Sequence, residues 1–205
     1  MAADSGKTDA ITEYLKKVWE TGDAFNAFLG DAKKAVIEIR KNSRTRVFLR
    51  NSDIPTLTDE ELELAVMDWI RGKINDWSNP CQDLKSLPKP CQTVYSCRAV
   101  ADEIGNGGFL QLFYNSMLPI AELSVEGFLE LGAPKLSRIV EQALEVYWDN
   151  KDKFDRYNDG TPDGFTALFN EVVFDPLDKE FALELSAFNI VDYIRANAEV
   201  FGDKT

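Results

Sequence analysis

Residues 103–116 read EIGNGGFLQLFYNS, with three glycines in four positions and an aromatic run directly after them. Glycine-rich turns that open helices often cradle phosphates, so the stretch is first a test for nucleotide binding. It fails that test. A dinucleotide fingerprint needs G-x-G-x-x-G after a strand. Gly105-Asn106-Gly107-Gly108 lacks the third glycine, follows a helical pattern and carries no Walker lysine. The other reading is a corner in the chain. Gly105 ends one helix, and Asn106-Gly107-Gly108 permits the positive φ of a sharp turn. Phe109 and Phe113, one helical turn apart, then enter the core with Leu112. Glu103, Asn106, Gln111, Tyr114 and Asn115 gather beside this corner. They read either as polar groups tying down the turn or as a small-ligand or enzymatic site.

Outward from the corner, nearly every segment has helical period and no run alternates cleanly enough for a strand. Upstream, Pro90 opens a helix that turns Val94, Cys97, Ala101 and Ile104 inward. SNPCQDLKSLPKP reads as a proline-punctuated loop. Before it, Thr58 with Glu61 forms a capping box, and the following helix carries a stripe of Leu62, Val66, Trp69, Ile70, Ile74 and Trp77. An N-terminal helix is expected over about 9–29, and a basic helix or extended arm over 31–50. Downstream, helices are expected over 120–131 and 135–149, with Gly132 closing the first and Pro134 opening the second. NKDKFDRYNDGTPDG reads as a polar loop, followed by helices over 165–174 and 178–201. The pattern predicts an all-α fold, a compact multi-helix domain at 51–205 with a partly basic helical extension at 1–50.

Composition removes several function classes. The chain has 205 residues and no histidine, so it lacks the commonest general base and metal ligand. Ser-His-Asp, Cys-His and His-based zinc sites are excluded. Cys81, Cys91 and Cys97 match no zinc spacing, and so sparse a count suits a reducing cytoplasm. No signal peptide or membrane-length apolar run is seen. The net charge of -12 is placed unevenly: residues 101–205 hold 8 Lys+Arg against 20 Asp+Glu, while residues 1–100 balance. An acidic half repels nucleic acid, whose binding rests on Lys and Arg, and attracts basic proteins.

The acids are patterned. Glu122, Glu126 and Glu130 stand at i, i+4 steps on one expected helix, and Glu141, Glu145 and Asp149 repeat the spacing on the next. Apolar residues occupy the opposite faces, so both rows point to solvent. Like charges at this spacing destabilise a helix by about 0.2–0.5 kcal/mol per pair. Within these two helices only Lys135 and Arg138 offset them. Such a row, about 6 Å between carboxylates at 1.5 Å rise per residue, presents to a basic groove what a phosphate strand presents. The bland alternative is a solvated face. The loop at Asp159, Thr161, Asp163 and Gly164 approximates a calcium loop, but Asn170 stands where the bidentate Glu is needed and Pro162 interrupts it, so no metal is expected. Residues 31–50 carry seven basic residues, Lys33, Lys34, Arg40, Lys41, Arg44, Arg46 and Arg50, and read as a basic arm or a solvated helix.

Asn106-Gly107-Gly108-Phe109, with Gln111, Tyr114 and Asn115, resembles the signature of a bacterial NGGF-motif domain of unknown function. Phe128–Ala133, Leu177–Phe181 and Tyr193–Asn197 with Phe201 resemble three later steps of that family, over roughly 57–203. The family includes a small acidic DNA-mimic protein. The resemblance implies an all-helical fold, no enzymatic activity and no cofactor. For the mimic member it implies a homodimer that covers the DNA-binding surface of a transcription factor. The expected function is therefore an acidic protein-binding module, with a basic DNA-binding protein as partner. The alternatives are an immunity-type protein that neutralises a basic toxin, and a small-ligand binder or enzyme at the NGGF turn.

Overall fold

A computed structural model describes residues 49–204 except positions 78 and 187, all within the unit Arg46–Thr205. The expected helix over 9–29 and the helix or arm over 31–50 lie outside the described residues, apart from Leu49 and Arg50. The described residues form an all-helical fold with no strand; an isolated bridge pairs Arg50 with Asp203.

The order is α1 (Asp59–Arg71), α2 (Pro80–Ser86), α3 (Lys89–Tyr114), α4 (Leu118–Glu130), α5 (Pro134–Asp149), α6 (Lys151–Tyr157), α7 (Pro162–Glu171), α8 (Asp175–Leu185) and α9 (Val191–Ala196). Short 3₁₀ turns cover Asn51–Asp53 and Ala198–Val200. The longest helix, α3, is the centre of the packing. It lies against α4, α8, α1 and α2, while α5 packs between α4 and α8. Val94, Cys97, Ala101 and Ile104 face the core as their spacing requires. At the α3–α4 crossing, Gly127 has no room for a side chain: a Cβ there would stand 2.7 Å from the Cys97 sulfur. This close approach buries Cys97 completely, and burial pushes its thiol far above the ordinary range. Cys91 is pushed up to about 11 by the same cause. The free cysteines are core residues.

The capping box of α1 is formed. The Thr58 N–H donates to Glu61 Oε2 at 3.0 Å, and the Glu61 N–H donates back to Thr58 Oγ1 at 3.4 Å. The α4–α5 corner also follows its sequence signals. Gly132 adopts φ 70°, and the Ala133 N–H reaches back to the Phe128 carbonyl at 2.8 Å, the bond that closes a helix through a left-handed residue.

Four expectations need correction. First, α1 ends at Arg71, so the stripe is cut short: Ile74 is buried from outside the helix, but Trp77 is 57% exposed. The chain leaves α1 because the Asn75 and Asp76 N–H groups turn to the Asp83 carboxylate, at 2.6 and 3.1 Å. Second, the proline-punctuated loop contains α2, held by buried Cys81 and Leu84. Third, the polar loop contains α6, whose one apolar anchor, Phe154, packs on Phe113 and Tyr147. Fourth, the expected last helix is two. α8 ends at Leu185, and the Asn189 side chain then accepts the Val191 N–H at 2.8 Å to start α9 afresh.

The C-terminal end clasps the start of the described chain. Arg195 donates to the carbonyls of Ile54 and Leu57 at 3.0 and 2.9 Å and pairs with Asp59 at 2.8 Å. Replacing Arg195 by Met strips hydrogen bonds from two backbone carbonyls. Denaturant unfolding should show a loss of about 1–3 kcal/mol; an unchanged midpoint would show the clasp to be idle.

Candidate functional site

The glycine corner is a break inside α3. Gly105 does not end the helix. The helical angles fail at Gly107 and Gly108, and only Gly108 needs a glycine conformation, with φ 74° and ψ −177°. Beyond the break a new helical turn starts, and its first N–H groups have no helical acceptor. The N–H of Phe109 donates instead to Asp178 Oδ1 at 2.8 Å. Asp178 stands in the first turn of α8, and it can approach only because Gly108 has no side chain: a Cβ there would lie 2.6 Å from Asp178 Oδ2. Burial pushes the Asp178 carboxyl above its ordinary value, against the lowering effect of the Phe109 N–H, and the charge of Asp175 adds to the rise.

Around this bond the aromatic residues close. Phe109 lies 6.4 Å from Phe113, 6.1 Å from Phe174 and 5.6 Å, edge-on, from Phe181. The polar residues of the corner mostly serve the break. Glu103 accepts from Gln111 at 3.1 Å and from the Asn115 amide, bridging the two halves of α3. Tyr114 leaves the group, donating to the Thr161 carbonyl at 2.6 Å. Asn106 is exposed and makes no side-chain hydrogen bond with the described residues. The five residues are therefore split, and only Glu103, Gln111 and Asn115 meet.

The calcium-like loop is an N-cap. Asp159 accepts from the Thr161 N–H and hydroxyl at 2.9 and 2.7 Å, and Thr161 accepts from the Gly164 N–H at 3.1 Å to start α7. Among the described residues no group of acids and cysteines is arranged to hold a metal ion.

The two acid rows differ. Glu122, Glu126 and Glu130 on α4 and Glu141, Glu145 and Asp149 on α5 are all exposed. On α4, however, Lys89 reaches from the start of α3 to Glu126 at 2.5 Å and Glu130 at 3.8 Å. Glu130 also accepts from the buried Thr93 hydroxyl at 2.6 Å and from the Tyr193 hydroxyl at 3.1 Å. That carboxylate joins α3, α4 and α9. Lys135, expected to offset the rows, pairs instead with Glu184 on α8 at 2.9 Å. On α5 the acids make no hydrogen bond or ion pair with the described residues. They stand opposite the buried face of Leu136, Ile139, Val140, Ala143 and Tyr147.

Sequence reasoning missed Asp178, Lys89 and the polar partners of Glu130. Asp178 was visible as a carboxylate at a helix start, but its partner is 69 residues away. Thr93, at helical spacing from Lys89 on the chain, gave no sign that both point to Glu130.

Taken together, the described residues define an all-helical acidic domain whose polar corner is used for packing and whose α5 row forms no ion pair with a described residue. A family model for DMP19-like protein matches residues 85–197, more than half of the chain, and the chain belongs to that family. The resemblance to an NGGF-motif domain family is corrected by this match: no NGGF-motif family is found, and the matched region begins at 85, next to α3, with α1 and most of α2 outside it. The glycine stretch is a poor label on its own, because its role is a local one, to admit Asp178. No curated protein and no solved structure matches the chain. Among the described residues no helix is long and apolar enough to cross a membrane.

Asp178 yields a test with a defined sign. A carboxyl with a raised folded pKa binds more protons in the folded state, so its contribution to stability falls as pH rises from the ordinary carboxylate range through the raised value. Asp178→Asn keeps the acceptor for Phe109 and removes this slope, whereas Asp178→Ala loses the acceptor and about 1–3 kcal/mol. Urea unfolding of both variants from about pH 3.5 to about pH 7, the range over which a raised carboxyl titrates, distinguishes them. Equal behaviour of Asn and Ala would remove the Phe109 bond from the account.

Proposed function

We propose that this chain is an acidic protein-binding module that acts as a DNA mimic, occupying the basic surface of a DNA-binding protein. The observation that supports the reading is the outer face of α5. Glu141, Glu145 and Asp149 are exposed, repeat at one-turn spacing and make no ion pair with a described residue. A protein that tolerates such a row forgoes the small stabilisation that one or two lysines would give. The α4 row contributes less to this face, because Glu126 and Glu130 are tied to Lys89, Thr93 and Tyr193. Glu122 makes no ion pair with the described residues and completes the α4 side.

From Glu141 to Asp149 the row spans only about 12 Å at 1.5 Å per residue. Dimeric DNA-binding proteins read half-sites about 34 Å apart. We therefore include a homodimer in the reading, with one α5 row for each half-site, and a role in transcription regulation through the occupied factor. The immunity-type alternative uses the same face, and the identity of the captured protein separates the two.

The test is capture from a bacterial lysate on the immobilised full chain. At low salt it should retain nucleic-acid-binding proteins. Retention should collapse as the screening length falls from about 10 Å at 0.1 M to about 3 Å at 1 M. Glu141→Lys/Glu145→Lys/Asp149→Lys should abolish capture with the fold intact by circular dichroism. Glu126→Lys/Glu130→Lys should instead lower stability by about 1–3 kcal/mol, since it leaves the buried Thr93 hydroxyl without its acceptor. No DNA-binding protein retained at low salt, or capture indifferent to the α5 reversal, would sink the reading.

A further inference from the structure

A cleft lies beside the glycine break. Gly107 borders it, Phe165, Phe169 and Val173 form its apolar wall, and Asp175 and Asp178 stand at its polar end, around a volume of about 370 Å³. Two properties of this cleft are unlike those of a packing defect. Its apolar lip is left in water, with Phe169 60% and Val173 68% exposed. Its two carboxylates also lack a cation. Neither Asp175 nor Asp178 makes an ion pair with a described residue, and Asp178 uses only Oδ1, for the Phe109 N–H. Part of the acid at the start of α8 suits the helix dipole, which favours negative charge there. That accounts for Asp175 on an exposed first turn. The Phe109 bond accounts for one oxygen of Asp178, and the other receives no hydrogen bond from a described residue.

We infer that the cleft binds a small organic cation, a primary amine with an aromatic or alkyl body, whose apolar part lies on Phe169 and Val173 and whose ammonium faces Asp175 and Asp178. The charge excludes an anion. The volume is near the lower end of the roughly 300–1,000 Å³ range of small-molecule pockets. A partner helix, about 10–12 Å across with its side chains, needs a longer groove. At Gly107 the missing side chain leaves room for the Gln111 amide, which lines the cleft beside it. This inference is independent of the α5 reading and uses different residues. It also differs from a site built on Glu103 and Asn115, which are bonded to each other and do not line the cleft, although Gln111, a partner of Glu103, does.

The experiment is an amide-detected NMR titration of the full chain with phenethylammonium chloride and, separately, with 2-phenylethanol. The amine should shift the Gly107, Val172 and Val173 amides saturably. Binding should be about tenfold weaker for the alcohol, which lacks the charge-assisted contact. Phe169→Ser and Asp175→Asn, both at exposed positions that take no part in the Phe109–Asp178 hydrogen bond, should each weaken the amine about tenfold as well. Equal response to amine and alcohol would overturn the proposal. So would shifts confined to the α5 acids, or variants that bind as the parent does. A response only to a peptide carrying adjacent Phe and Lys would make the cleft a peptide groove and likewise overturn it.

Discussion

The hydrogen bond from the Phe109 N–H to Asp178 joins residues 69 apart in the chain, and the rest of the fold is arranged around it. A helix broken at two glycines exposes new N–H groups at its restart, and in a protein interior those must be met. Asp178 meets one of them from the first turn of α8. It reaches Phe109 because Gly108 has no side chain, and Phe109, Phe174 and Phe181 then close over the pair. The bond thereby fixes the direction of α8 against α3. Since α5 packs on α8, it also fixes the helix that carries the free acid row. A half-buried carboxylate costs desolvation, visible in its raised pKa, and the polar backbone it satisfies offsets that cost.

Much of this frame was legible locally. Thr58 and Glu61, Gly132 and Pro134, and the Phe109–Phe113 spacing each report on neighbours within about one helical turn, where sequence rules are strongest. The failures share a different character. Gly105 reads as a stop, but a glycine can sit inside a helix, and the break falls where Asp178 needs room. The α2 and α6 segments are short and polar, held by Leu84 and by Phe154, and one anchor per turn leaves no periodic trace. At the gap between α8 and α9 the Asn189 side chain accepts the Val191 N–H, a turn indistinguishable in sequence from a mid-helix asparagine.

The site was legible in part for the same reason. Exposure of both acid rows followed from helical period. Their difference did not, because it comes from a third helix: Lys89 and Thr93 approach α4 from α3, and Tyr193 from α9. Three-dimensional neighbours converted Glu130 from a surface charge into a structural acceptor and left Glu141, Glu145 and Asp149 alone. An acidic face read from sequence is thus a mixture of acids that hold the fold and acids that remain available, and only the second kind supports a proposed binding role. Membership of the DMP19-like family over 85–197 covers the helices that carry both kinds.

The claim that the α5 carboxylates stand where phosphates would stand is tested most directly by competition on a captured DNA-binding protein. Fluorescence anisotropy of its labelled operator duplex, followed as the unlabelled chain is added, measures whether the two share one surface. If they do, the duplex is fully displaced, with an apparent affinity that weakens in parallel for chain and DNA as salt is raised. A ternary complex, with the duplex still bound at saturating chain, would contradict it.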